Sequence, residues 1–522
     1  MTIPTFRETA VLVVSAMALA FAFPIIHWFP LGWVALAPVF VIVRRATPRG
    51  AAVRMLLAGF VFHVILLHWL AANVYWEGGW ALVGQQLLCL LLAAFWAGAG
   101  WLWVWGIPRL PRLHPPLIIA VLWVCVEWLH ANVFTGFGWS ALGYSQAPDR
   151  WLLQIAALGG VSGISFLLVW ANALLAELWE RRGRAPLQWA VLALVVLAPH
   201  GTGAWLLRPP AEAPAFTVGM YQSRYAQEMK WDPDFTQIML DMAVEQSYRL
   251  SEAEEVDLLV WPEALITDHY ERPDLWHGIR ELVTLTGVPL YAGTVRIGPG
   301  GEDYNSSILV TPEAEVVGVY DKVHLAPFGE YLPYADYLAF LRSVVPADTT
   351  PGVDQKLLTW NGWRMGPLIC FEVLFSPMAA YLRAEGADFL VVITNLGWFG
   401  MSGALLQELE IARLRAVETR LPLIHVSNTG ISGVFDPYGR FQLIDSVVNR
   451  DAYRKWPQAA LTPAMTMRQR MVAALPVAPP AEHPLPWGPV YFSPFCVALT
   501  MLWGFAAALA PRLRARGAGA SP

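Results

Sequence analysis

The sequence predicts a polytopic α-helical membrane domain of about eight spans carrying an extracytoplasmic α/β domain, and three observations lead there. Of 522 residues, 56% are apolar and only 14% charged, where a soluble chain averages roughly 45–50% apolar and 25% charged. The charge is unevenly placed: residues 1–207 with 488–522 hold 14 Lys/Arg against 6 Asp/Glu, whereas 208–487 hold 21 against 34. Residues 208–487 also alternate short apolar runs with amphipathic stretches, as a water-exposed α/β domain does. The expected organisation is therefore seven spans over 1–207, a soluble domain over 208–487, and a last span with a basic tail over 488–522. An acidic soluble part argues against nucleic acid as a partner, because phosphates need a basic face.

Apolar stretches long enough to approach a hydrocarbon core about 30 Å thick fall at 9–26, 29–43, 51–73, 79–105, 115–131, 151–177, 187–207 and 488–510. Pro24, Pro30 and Pro38 punctuate the first two, and the second is short enough to be re-entrant. Orientation follows from the arginines. One set of loops carries Arg7, then Arg44, Arg45, Arg49 and Arg54, then Arg109 and Arg112, then Arg181, Arg182 and Arg184, and finally Arg512, Arg514 and Arg516. The alternate short loops hold little besides Glu77, Asp149 and Arg150. Basic loops stay on the cytoplasmic side. Both termini are thus expected inside and 208–487 outside, in the periplasm if the cell has an outer membrane. The first span reads as a retained anchor, although Ala18-Leu19-Ala20 resembles a signal-peptidase site. Glu127 and His130, at the outer end of the fifth span, are either an interfacial pair reaching headgroups or part of a lipid-headgroup site.

Three of the four cysteines, Cys89, Cys125 and Cys496, lie in expected spans, where a thiol usually just packs. Cys370 alone belongs to the soluble domain, so no intrachain disulfide explains it there. Within that domain, strands are expected at 216–222, 256–261, 288–295, 307–310, 316–319, 365–369, 389–394, 423–426 and 433–435. Helices are expected near 233–252, 273–286, 377–385 and 404–418.

Chemistry gathers where strands end. Trp261-Pro262-Glu263, Tyr320-Asp321-Lys322 and Cys370-Phe371-Glu372 each follow a strand, and a strand end can expose a side chain while the backbone holds it still. A carboxylate, an ammonium and a thiol can make a nucleophilic site: the carboxylate takes the thiol proton and the lysine favours thiolate and oxyanion. A Cys–His dyad using His324 competes with this trio. Zinc has little support, because His269, His277, His324, His425 and His483 lack ligand spacing and only one thiol could join them. No phosphate-cradling glycine loop is present, so no metal or organic cofactor is called for.

These residues resemble a family. Trp261-Pro262-Glu263, the run from Tyr320 to Pro333 containing Pro327-Phe328-Gly329-Glu330, and Leu368-Ile369-Cys370-Phe371-Glu372 look like the three catalytic signatures of the nitrilase superfamily. The long second motif is similar to its membrane-bound branch, the apolipoprotein N-acyltransferases. The run Phe134–Gln146 resembles that family's loop between the fifth and sixth spans. The resemblance implies a nitrilase-like αββα sandwich outside the membrane, with Glu263 as general base, Lys322 as oxyanion stabiliser and Cys370 as nucleophile. Glu330 and Glu372 match further active-site acids, Trp231 matches a substrate-contacting tryptophan, and Asn395 and Trp398 are expected near the substrate. The implied reaction moves an acyl chain from a phospholipid, through a Cys370 thioester, to the α-amino group of a lipid-modified N-terminal cysteine on an apolipoprotein. A membrane-tethered amidase acting on a small molecule, or a divergent paralogue with altered substrate, is the alternative, and a transporter or scaffold with a silent outer domain is a third reading. The chain departs from the family pattern at Leu396 and Met401, where Asp is common, and at Glu408, where His is common. It also departs at Gly138 and at Ser223-Arg224-Tyr225.

Overall fold

A computed structural model describes residues 3–73, 78–110, 113–207, 214–342, 348–443, 472–476 and 487–518. Glu77, Arg112 and His483 lie outside the described residues. The chain forms two compact units, Met1–Leu207 with Pro486–Pro522, and Arg208–Leu485.

The first unit is helical. Among the described residues six helices are long and apolar enough to cross a membrane: Pro48–Leu66, Gly79–Gly106, Pro115–Asn132, Leu152–Glu180, Pro186–Leu206 and Gly488–Ala510. The other two expected spans are shorter. Phe6–Phe21 is a helix of 16 residues, capped by Thr5 and Glu8, and the apolar run Phe29–Arg44 is broken into the 3-10 turn Phe29–Trp33 and the helix Ala37–Arg44. Prolines supply the reason, since a ring at Pro24, Pro30 or Pro38 removes an N–H donor and is best accommodated at a helix start. Asn172 then repairs the break: its Oδ1 accepts from the N–H groups of Leu36 and Ala37 at 2.8 and 2.9 Å.

Two expectations about polar residues change in this unit. Arg54 is not a loop residue but lies inside the helix Pro48–Leu66, buried and paired with Glu8 at 2.8 Å. Neither Glu127 nor His130 reaches outward, as both are buried. Glu127 Oε1 accepts from Trp123 Nε1 and from the Leu142 N–H, and His130 Nε2 meets the Leu92 carbonyl. A buried carboxylate needs such donors, and here it fixes the turn-rich loop Gly138–Gln146 inside the helical packing.

The second unit is a four-layer αββα sandwich. One sheet runs in the order β13 (Val472–Pro476), β1 (Pro214–Met220), β2 (Leu258–Val260), β4 (Leu290–Ile297), β5 (Asp303–Val310), β6 (Val316–Asp321), with β3 (Ile266–His269) also on β4. The other runs β12 (Phe441–Leu443), β11 (Gly433–Phe435), β10 (Leu423–Ser427), β9 (Phe389–Thr394), β8 (Trp363–Ile369), β7 (Leu358–Trp360). Strands alternate their faces, and the burial follows that period of two. Leu258 and Val260 pack with Val391, Ile393, Ile369 and Val426 between the sheets, while Leu259 packs outward against the helices Thr236–Ala253 and Pro273–Thr286 through Leu240, Ile279 and Val283. The neighbours β1, β2 and β4 are parallel, as are β8, β9 and β10, so the ends of β2, β8, β9 and β10 are directed together within each sheet.

Candidate active site

Cys370 follows β8 directly and opens the short 3-10 helix Cys370–Leu374. To turn there it takes φ 51°, in the left-handed region that costs a side-chain-bearing residue about 1–2 kcal/mol. Strain of this kind persists only where the surroundings over-determine it, and Glu372 is what does so. That carboxylate, fully buried, accepts from the Ile369 N–H at 2.8 Å with one oxygen and from Tyr320 Oη, the Val323 N–H and the His324 N–H with the other. Glu372 thus pins the turn bearing Cys370 to the segment bearing Lys322. Burial pushes its carboxyl up to about 7.

Glu263 sits on the turn after β2. The next residue, Ala264, has φ 45°, and the turn lies so close to β4 that a Cβ at Gly293 would stand 2.5 Å from the Pro262 carbonyl oxygen and 2.7 Å from Glu263 Cα. Only glycine admits that approach. Beneath the turn, the buried Lys230 donates from Nζ to the Glu263 carbonyl oxygen at 2.9 Å. Burial lowers this ammonium to about 7, with the Glu263 charge working against the shift.

Lys322 follows β6 and is buried between two carboxylates, 3.4 Å from Glu263 Oε1 and 2.8 Å from Glu330 Oε2. Burial works against its charge, but the carboxylates of Glu330 and Glu263 hold it above the ordinary lysine range. Asn305 on β5 joins the two acids, donating from Nδ2 to Glu263 Oε1 at 2.8 Å and to Glu330 Oε1 at 2.7 Å. The Ala326 N–H completes the Glu330 site at 2.6 Å. Burial raises the Cys370 thiol above its usual range and Glu263 raises it further, while Lys322 lowers it. The thiol is therefore a proton-bearing group at rest, and it needs a base for attack.

Of the expected residues, Glu263, Lys322, Cys370 and Glu330 converge on one electrostatic cluster, with Glu372 behind it. Trp231 is 44% exposed, so it is no core aromatic, and it stacks on Trp398 with ring centroids 6.3 Å apart. Asn395 is buried and fully engaged: Nδ2 donates to Gln227 Oε1, and Oδ1 accepts from the Gly397 N–H and Asn428 Nδ2. It ties the loop bearing Trp398 to the segment Ser223–Trp231, whose Ser223 and Tyr225 dock on Asn428. His324, the competing partner for the thiol, packs its ring on Phe375 and Phe371. Among the described residues no cluster of three or more His, Cys, Asp or Glu could hold a metal ion. Three residues of this cluster carry no sequence signature by themselves: Asn305, Lys230 and Gly293. Each acts on a residue at least 25 positions away, and only their polarity or smallness on a buried strand or beside a motif hints at a role.

Two family models cover most of the chain: the apolipoprotein N-acyltransferase N-terminal domain over residues 15–174 and carbon-nitrogen hydrolase over residues 217–446. A protein of Geobacter metallireducens named apolipoprotein N-acyltransferase is 34% identical over 454 residues, covering 84% of this chain and 86% of its own length. A protein of Azotobacter vinelandii with the same name is 34% identical over 479 residues, covering 86% and 89%. Among solved structures, an amidase of the nitrilase superfamily from Nesterenkonia matches at 21% identity with a TM-score of 0.35, covering 45% of this chain and 89% of its own.

Proposed function

The chain belongs to the apolipoprotein N-acyltransferase family, and on that premise we propose that Glu263, Lys322 and Cys370 carry out its acyl transfer by a two-step thioester route. Glu263 takes the Sγ proton, and the thiolate attacks the ester carbonyl carbon of a phospholipid acyl chain. Lys322 donates to the oxygen that becomes negative in the tetrahedral intermediate. The C–O bond then breaks, and the departing lysophospholipid oxygen recovers the proton from Glu263. In the second step the free α-amino group of a lipid-modified N-terminal cysteine on an apolipoprotein attacks the thioester. Glu263 receives the amine proton, the C–S bond breaks with its electron pair on Sγ, and the thiolate is reprotonated.

The single observation that carries this assignment is the ionic contact of Lys322 with Glu263 and Glu330 beside the one thiol of the second unit. Glu330 supports it by holding Lys322 and sharing Asn305 with the base. The Trp231–Trp398 stack is the proposed contact for substrate, since a half-exposed aromatic pair offers an apolar platform. The proposed setting is the bacterial cytoplasmic membrane, with both termini inside and the catalytic unit outside, as the distribution of arginines argues. Incubating purified protein with a phospholipid bearing a labelled acyl chain and a diacylglyceryl peptide should move the label to the peptide's α-nitrogen. Label released as free fatty acid at the same rate with and without peptide would instead mark a hydrolase.

A further inference from the structure

Lys230 stands where packing alone would not put a lysine. Its side chain is buried, and Nζ reaches under the turn after β2 to donate to the Glu263 carbonyl oxygen at 2.9 Å. A methionine would fill that space without burying an amine, so filling it does not account for the residue. Lys230 closes the one-turn helix Gln227–Lys230, where its own N–H donates to the Ala226 carbonyl at 2.9 Å and the Trp231 N–H to the Gln227 carbonyl at 3.2 Å. The two neighbours point apart: Lys230 inward beneath the Glu263 turn, and Trp231 outward, half-exposed, onto Trp398. The loop bearing Trp398 is held on the same short helix. Asn395 Nδ2 donates to Gln227 Oε1 at 3.1 Å, and a Cβ at Gly397 would stand 3.2 Å from Gln227 Cγ. At the other end of this frame the base is not fully closed on its partner. Lys322 lies 2.8 Å from Glu330 but 3.4 Å from Glu263. A full charge-assisted hydrogen bond spans roughly 2.7–2.9 Å, so a shift of about half an ångström in the Glu263 turn separates a loose contact from a full one.

We propose that Lys230 is a positioning residue that couples the Trp231–Trp398 platform to the general base, so that an acyl chain lying on the tryptophans draws the Glu263 turn into place. The coupling rests on the reading above, in which Cys370 is acylated from an ester and the tryptophans take the chain. Lys230 and Trp231 share one planar peptide unit. A displacement of the Trp231 ring therefore reaches Lys230 through the backbone, and the Glu263 carbonyl through a single hydrogen bond. Binding energy from a part of the donor remote from the reacting carbonyl then goes into placing the base rather than into holding the ground state. The site thereby favours long-chain donors in the rate of acylation rather than in affinity, and a short chain that does not reach the tryptophans forgoes the gain.

The full-length protein in detergent tests this with p-nitrophenyl butanoate and p-nitrophenyl hexadecanoate, which share a leaving group and differ in chain length. Single-turnover acylation at saturating donor is followed by mass, with the adduct mapped to Cys370. Lys230→Met should slow hexadecanoyl transfer about tenfold, the worth of one hydrogen bond to a charged group, and butanoyl transfer by less than about threefold. It should do so without raising the hexadecanoate concentration that gives half the maximal rate. Lys230→Gln, whose stem is one atom shorter, should behave alike. Loss of folded protein lowers both rates together, so the ratio of the two separates coupling from a structural role. Trp398→Ala should lower the same ratio, and Lys230→Met added to it should lower the ratio by less than about twofold more. Equal slowing of both donors by Lys230→Met, no slowing of either, or full additivity with Trp398→Ala would overturn the coupling while leaving the acylation of Cys370 intact. If neither donor acylates Cys370 in the parent protein, the proposed reaction fails and the coupling falls with it.

Discussion

Replacing Gly293 by alanine adds one methyl group against backbone rather than against the Glu263 carboxylate, yet it should disable Glu263 as the proposed base. The new Cβ would meet the Pro262 carbonyl oxygen at 2.5 Å, the Ala264 nitrogen at 2.7 Å and Glu263 Cα at 2.7 Å. All three are backbone atoms of the turn that carries Glu263, so no side-chain rotation relieves the overlap. Ordinary van der Waals contact begins near 3.4 Å, and the turn must therefore retreat by up to about 0.9 Å. Catalytic groups tolerate about 0.5 Å of displacement, and about 1 Å costs about 100-fold in rate. Lys322, already 3.4 Å from Glu263 Oε1, loses that contact as the turn moves. Gly293→Ala should thus acylate Cys370 about 30- to 100-fold more slowly in single-turnover measurements by intact mass. Its stability should fall by about 1–3 kcal/mol, as overpacking does, leaving a protein that still melts cooperatively. Acylation within threefold of the parent would refute the view that β4 positions the base.

Other residues make separable predictions. Asn305→Leu removes the donor shared by Glu263 and Glu330, and with hydrogen bonds to charged groups at about 1.5–3 kcal/mol acylation should drop at least tenfold; an unchanged rate would show the two acids hold themselves. Glu372→Gln sets an amide N–H₂ against a ring of donors, so it should lower stability by about 1–3 kcal/mol, and a melting temperature equal to the parent's would contradict its pinning role. Lys230 has its pKa lowered from 10.5 to about 7 in the folded state. The stability it leaves intact above pH 10.5 is therefore lost progressively as pH falls to about 7. Lys230→Met should gain on the parent in thermal stability over that window and hold a constant difference below it, whereas a difference independent of pH would mean the buried ammonium carries no such penalty.

Much of this was legible in the sequence because strand ends announce themselves. Leu258–Val260, Val316–Asp321 and Trp363–Ile369 end within three residues of Glu263, Lys322 and Cys370, so strand ends pointed to these side chains, while strand ends alone left the dyad with His324 open and the family motifs singled out the trio. The strands Ile266–His269, Leu358–Trp360, Phe441–Leu443 and Val472–Pro476 have no counterpart among the expected strands; each lies at a sheet edge or off the main sheet path, where the sequence need not alternate two buried faces. The apolar helices were legible in position, and the prolines already marked the second stretch as short, but hydropathy did not show that Phe29–Arg44 divides into a 3-10 turn and a separate helix. Roles that depend on distant contacts stayed hidden. Asn305 bridges acids 42 and 25 residues away, and the partner of Glu408 is a strand histidine 17 residues on. Glu372 could be singled out by motif, but three of its four donors, Tyr320, Val323 and His324, lie 52, 49 and 48 residues away and only folding brings them to it.

The central claim is that Cys370 accepts an acyl chain from phospholipid with Glu263 as its base. Intact mass of the purified protein after incubation with phospholipid of one chain length, without acceptor, tests it most directly. The predicted result is a single added acyl mass, mapped to Cys370, labile to hydroxylamine, absent in Cys370→Ala and strongly slowed in Glu263→Gln. An unmodified parent protein, or an adduct that survives Cys370→Ala, would contradict it.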